Sequence, residues 1–135
     1  MSGTLLLDTG PLVALLVPRE RHHRWAIEAL RVRARVVTCE AVLSEAFFLM
    51  RGTEKGSRAL RGMLADDSLE LVSLTPEPRA LMSLMTRYTS VPMSFADACL
   101  VRLSELIPRA VVATLDSDFR VYRRNGRQVI PLLMP

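Results

Sequence analysis

A chain of 135 residues suffices for one substantial core but not two, and half of its residues are hydrophobic. Its mean hydropathy of +0.22 is high, yet the longest apolar runs, near residues 12–17 and 110–115, are far too short to span a bilayer, and no signal peptide is visible. The two cysteines, Cys39 and Cys99, have neither disulfide-framework nor zinc-like spacing, which predicts reduced, buried thiols in a cytoplasmic protein, while a net charge of +4 carried almost wholly by arginine points to an anionic partner such as nucleic acid.

Residues 4–16 read as strand, acidic turn and helix. Leu5, Leu6 and Leu7 form a continuous apolar run suited to a strand buried on both faces, and Gly10 with Pro11 breaks it, proline being well placed in a first helical turn. Asp8 therefore closes a strand at its carboxyl end, which is where open α/β sheets expose ligand sites. Residues 20–30 follow as a helix with Trp25, Ala26, Ala29 and Leu30 at inward spacing, and Trp25 is expected in the core. Arg19, Arg21, Arg24, Arg31, Arg33 and Arg35 are either a solvated face or part of a nucleic-acid surface.

After a short β-branched strand at 36–38, residues 40–50 form an apolar helix carrying Val42, Leu43, Ala46, Phe47, Leu49 and Met50. Glu45, three residues after Val42 and four before Leu49, is predicted on that apolar face, whereas Glu40 sits at the helix start, where an acid is ordinary. A helix at 56–65, a strand at 69–74 and a helix from the Thr75-Pro76-Glu77-Pro78 turn to about residue 88 come next. Ser94 caps a helix over 95–106. Within it Asp97 lies three and four residues before Leu100 and Val101, so a second acid points along an apolar stripe, where an unpaired charge is costly.

Residues 110–115 are the next strand, and Asp116 closes it as Asp8 closes the first. A basic helical turn with Arg120, Arg123 and Arg124 leads to an Asn125-Gly126 turn and a last strand over 129–133. The alternation implies one α/β domain over residues 1–135, a parallel sheet flanked by helices. Asp8 and Asp116 can then be neighbours at the carboxyl edge, with Glu45 and Asp97 reaching them from flanking helices. Four such carboxylates repel one another unless a cation sits among them, and an oxygen-only set favours Mg2+ or Mn2+. His22 and His23 are adjacent, project in different directions, and read as surface or packing residues. Metal ions so held can activate water and stabilise charge on a phosphodiester.

The segments Leu6-Leu7-Asp8-Thr9-Gly10-Pro11-Leu12, Glu45 in its helix, Ser94-Phe95-Ala96-Asp97-Ala98 and Thr114-Leu115-Asp116-Ser117-Asp118-Phe119 resemble, in order, the successive motifs of PIN domains. The resemblance covers essentially the whole chain, and in length the chain is most similar to VapC-type toxins of prokaryotic toxin-antitoxin pairs. It implies a three-layer PIN-like fold and a Mg2+- or Mn2+-dependent endoribonuclease, often a homodimer, that acts on RNA in the cytoplasm, away from membranes, and is inhibited by a cognate antitoxin. By the same resemblance Asp8 and Asp97 are the principal metal ligands. Glu45 is a ligand directly or through water and the candidate base, and Asp116 is a second-site or outer ligand. Thr9 and Thr114 orient these acids, and Asp118 is either a fifth acid or the cap of its turn. Two other readings stay open: a non-cleaving PIN-like module that binds RNA or protein, and an RNA-maturation nuclease that is not a toxin. No GxxxxGK[ST] or GxGxxG occurs, so nucleotide binding through a glycine loop is unsupported.

Overall fold

A computed structural model describes residues 3–31 and 35–135, so Arg33 of the arginine group above lies outside the described residues. The apolar run of β1 (Thr4–Leu7) is buried along its whole length because a parallel neighbour lies on each side and helices cover the sheet. On one side is β2 (Arg35–Thr38) and on the other β4 (Ala110–Ala113), with Leu6 facing Val37 and Val112. The edges are β3 (Glu70–Leu71) and, after a hairpin of β5 (Arg123–Arg124) and β6 (Gln128–Val129), β7 (Leu132–Leu133), giving a parallel sheet in the order β3-β2-β1-β4-β7.

Parallel neighbours need crossovers, and helices supply them. They are α1 (Thr9–Leu16), α2 (His23–Arg31), α3 (Glu40–Leu49), α4 (Glu54–Ala65), α5 (Pro78–Arg87) and α6 (Phe95–Leu106). α1 packs on α2, α3 and α4, while α6 packs on α5 and against β1 and β4. The core joins Leu5, Leu6, Leu7 and Leu12 to Leu100, Leu103 and Val112, all fully buried. Strand order runs outward from β1 through β2 to β3, then returns to β4 on the other side. That reversal opens a crevice between the carboxyl ends of β1 and β4, the place where such sheets take ligands.

Several local expectations change. The strand expected at 69–74 is reduced to Glu70–Leu71 at the sheet edge, with Val72 N–H still donating to the Thr38 carbonyl at 3.0 Å. The last strand splits around Pro131: β6 (Gln128–Val129) pairs antiparallel with β5 (Arg123–Arg124), and β7 pairs parallel with β4. The second helix begins at His23 rather than at residue 20, and the His23 ring is anchored through Nδ1 to the Ala14 carbonyl at 2.7 Å. Trp25 is half-buried against the core rather than inside it, because Ala26 and Ala29 occupy the closest approach. Cys39 and Cys99 are buried and unbridged, as expected. Among the described residues no helix is long and apolar enough to cross a membrane.

Candidate active site

Asp8 is delivered to the crevice by β1, and it also caps α1. Its extended backbone lets Oδ1 accept from Thr9 N–H at 2.8 Å, while Oδ2 accepts from the Thr114 hydroxyl at 2.7 Å. The same hydroxyl accepts from Asp116 N–H at 2.9 Å, so one threonine ties the ends of β1 and β4 together. Burial pushes the Asp8 carboxyl up to about 6; the bonds from Thr114 and Thr9 oppose that rise, and the charges of Asp97 and Asp116 add to it. Gly10 permits this close arrangement, since a Cβ there would lie 3.0 Å from Leu115 Cδ1.

Asp97 enters from the first turn of α6. Ser94 and Asp97 form a capping box, in which Ser94 Oγ accepts from Asp97 N–H at 3.0 Å and Asp97 Oδ2 accepts from Ser94 N–H at 3.3 Å. A second donor reaches the same oxygen: Tyr122 OH, at 2.9 Å. Burial raises the Asp97 pKa and the Tyr122 bond counters it. Sequence reasoning missed Tyr122, which lies in a stretch read only as a basic turn. Its ring is held edge-on by Tyr88 and Phe119 at centroid distances of 5.1 and 5.2 Å, so the hydroxyl is aimed by a rigid aromatic cluster. Tyr122→Phe is expected to cost about 2 kcal/mol of stability, because a buried carboxylate loses a donor, and to raise the Asp97 pKa further. Urea denaturation checks the first outcome; an unchanged midpoint would show the bond to be energetically idle.

Asp116 follows β4 and caps the 3-10 turn Ser117–Arg120, accepting from Asp118 N–H at 2.9 Å. Asp116 is therefore the cap, and the Asp118 carboxylate is left lining the cavity. Glu45 is not on the buried face of α3. The inward stripe is Val42, Leu43 and Ala46, continued by Met50, whereas Leu49, used to infer that face, is itself exposed; Glu45 sits at the margin, exposed but long enough to line the cavity. Glu40 lies elsewhere, its Oε1 accepting from Ser73 Oγ at 2.7 Å. Thr114 bonds to two acids, donating to the Asp8 carboxylate and accepting from Asp116 N–H. Thr9 meets Asp8 only through its backbone N–H, its Oγ1 being buried with no partner among the described residues.

The result is an open cavity of about 600 Å³ lined by Asp8, Glu45, Asp97, Asp116 and Asp118. Four regions of the chain, distant in sequence, meet there. The acids surround a space rather than converge on a point, for among the described residues no three of them stand close enough to grip one cation together. Protein donors hold Asp8, Asp97 and Asp116 individually. The donor set is oxygen-only, matching a hard divalent cation, and the raised Asp8 and Asp97 pKa values mark charge that such a cation would stabilise.

Residues 5–125 match the PIN domain family. No curated protein matches the sequence. The chain is similar to the crystal structure of Mycobacterium tuberculosis VapC20, described as a Sarcin-Ricin loop cleaving toxin, with a TM-score of 0.74 and 20% identity over 87% of this chain and 93% of that one.

Proposed function

We propose, on the premise that this chain belongs to the PIN domain family, that it is a metal-dependent endoribonuclease, the toxin of a VapBC-type pair. The observation that carries the reading is the meeting of Asp8, Glu45, Asp97, Asp116 and Asp118 around one cavity at the switch point of the sheet. The likeness in fold to VapC20, a toxin that cleaves the Sarcin-Ricin loop, supports RNA as the substrate class and a cognate antitoxin as the partner.

Asp8 and Asp97 would be the principal ligands of Mg2+ or Mn2+, with Asp116 and Glu45 binding directly or through water and Asp118 available as a fifth acid. An ion held there would lower the pKa of a bound water and stabilise the charge that develops on the phosphodiester. The chain's own residues do the rest. Thr114 and Thr9 N–H hold the Asp8 oxygens, Tyr122 and Ser94 hold Asp97, and Glu45 at the open rim accepts the proton of the attacking water. Phe48 and Leu49, 61% and 53% exposed on α3, suit a homodimer interface, and a single cytoplasmic domain over residues 1–135 completes the reading.

Incubation of the purified chain with total cellular RNA and Mg2+ or Mn2+ is expected to give discrete fragments, and an EDTA control intact RNA. RNA left whole by the folded, metal-loaded chain would favour a binding module. Fragments formed equally in EDTA would remove the metal from the reaction.

A further inference from the structure

Beyond the carboxylate cavity, a run of positive charge follows directly in the chain. Residues 119–135 contain no aspartate or glutamate but four arginines: Arg120, Arg123, Arg124 and Arg127. They sit on the 3-10 turn and on the β5–β6 hairpin, which Asn125 and Gly126 close with φ of 51° and 83°. A fifth arginine joins from α5: Arg87 Nη2 donates to the Gly126 carbonyl at 2.6 Å and fastens the hairpin tip. β5 runs along α6 from its first turn, where Tyr122 meets Asp97, to its last, where Asn125 N–H donates to Glu105 Oε2 at 2.6 Å. The elements that carry the arginines therefore form a track that runs from beside the acidic cavity toward the far end of α6.

Their chemistry is that of cations without anions. The ion pairs among the described residues use Arg31, Arg35, Arg58, Arg61 and Arg102, and none of the five on the track. Arg123 is structural, with Nη1 donating to the carbonyls of Arg120, Val121 and Tyr122 at 2.8, 3.2 and 3.0 Å. Arg124 differs. It is half-buried, and its Nε has no hydrogen-bond partner among the described residues. A guanidinium partly immobilised by burial is pre-organised for a phosphate. The neighbouring aromatic rings, Tyr88, Phe119 and Tyr122, are buried and present no stacking platform, so recognition here is of backbone charge rather than of bases.

We propose that Arg120, Arg124 and Arg127, braced by Arg87, seat the phosphate backbone of single-stranded RNA on one side of the bond held in the cavity. The identity of the polyanion rests on the ribonuclease reading above. Continuity with the cavity favours RNA over an acidic protein segment, because the strand to be cut must pass from one to the other.

The test is fluorescence anisotropy of a labelled single-stranded RNA of about 12 nucleotides, in EDTA and in KCl from about 50 to 300 mM. The Arg120→Gln/Arg124→Gln/Arg127→Gln variant is expected to bind about tenfold more weakly and to lower the log–log salt slope by about 2, as the loss of three phosphate contacts requires. Arg120→Gln/Arg127→Gln leaves the half-buried Arg124 in place and guards against misfolding; it is expected to lower the slope by about 1.4. Arg58→Gln/Arg61→Gln, which removes two ion-paired arginines from α4, is expected to change affinity less than about twofold. Equal weakening in the control, or an unchanged slope in the hairpin variants, overturns the proposal. So does displacement of the RNA by polyglutamate as readily as by unlabelled RNA, which would assign the track to an acidic protein segment. If the wild-type chain cuts RNA with metal while hairpin variants bind normally, the track falls and the ribonuclease reading stands; hairpin-dependent binding without any cutting has the reverse meaning.

Discussion

Asp97→Asn is expected to lower RNA cutting by a factor of at least about 10² while leaving the chain folded. Both protein donors to this carboxylate, Ser94 N–H and Tyr122 OH, reach Oδ2. An asparagine oxygen in that position keeps both bonds, and the amide nitrogen takes the place of Oδ1. The change thus replaces a carboxylate oxygen with an N–H donor, which a cation repels, while preserving the capping box and the contact with the aromatic cluster. It also removes a charge whose burial is unfavourable, as the raised pKa of Asp97 shows, so the melting temperature should equal or exceed that of the wild type. Fragment yield and melting temperature measured on the same preparations, with Mn2+ titrated into each, separate the two effects. Cutting at the wild-type rate would remove Asp97 from the reaction, and a collapsed melting temperature would reassign it to structure.

In the metal-free chain, Asp8→Asn is expected to increase stability at pH 8 and to have little effect near pH 4. The Asp8 carboxyl rises from 3.8 to about 6, mainly because it is buried. The folded chain therefore holds this proton more tightly than the unfolded chain does. That contribution is fully present below about pH 3.8 and is lost as the pH rises through about 6; above it, the ionised group opposes folding by on the order of 3 kcal/mol. Asparagine avoids this cost and can still accept from Thr9 N–H, but it disturbs the Thr114 bond, which leaves a net gain of about 1–2 kcal/mol, or several degrees in melting temperature. Saturating Mg2+ should reverse the order, since binding to the folded state stabilises the wild type by mass action and the variant lacks a principal ligand. Thermal melts at pH 4, 6 and 8, with and without Mg2+, check both signs. Destabilisation at every pH would show that the Thr114 bond outweighs burial.

The difference between Asp8 and Glu45 shows how far the residues alone can be read. The ends of β1 and β4 are legible because an unbroken apolar run closed by an acid has few local solutions, and Asp8 and Asp116 need no long-range information. The Ser94 cap was legible for the same reason, since Ser94 and Asp97 satisfy each other within one turn. The spacing to Leu49 predicts Glu45 on the apolar face, but periodicity does not reveal which apolar residues a helix leaves exposed, and Leu49 is one of them. The residues alone predict one continuous final strand, whereas the neighbours available on each side of Pro131 determine that one part pairs with β5 and the other with β4.

Local sequence was thus sufficient for the parallel α/β class, the strand-end acids and the capped acid of α6, because hydrophobic periodicity and capping act between residues a few positions apart. The order β3-β2-β1-β4-β7, the bond by which Thr114 reaches Asp8 across 106 residues and ties it to Asp116, and the aim of Tyr122 at Asp97 emerge only from the assembled fold. Those features depend on which elements pack together, and a residue's neighbours in the chain place no restriction on the partner it meets across a core.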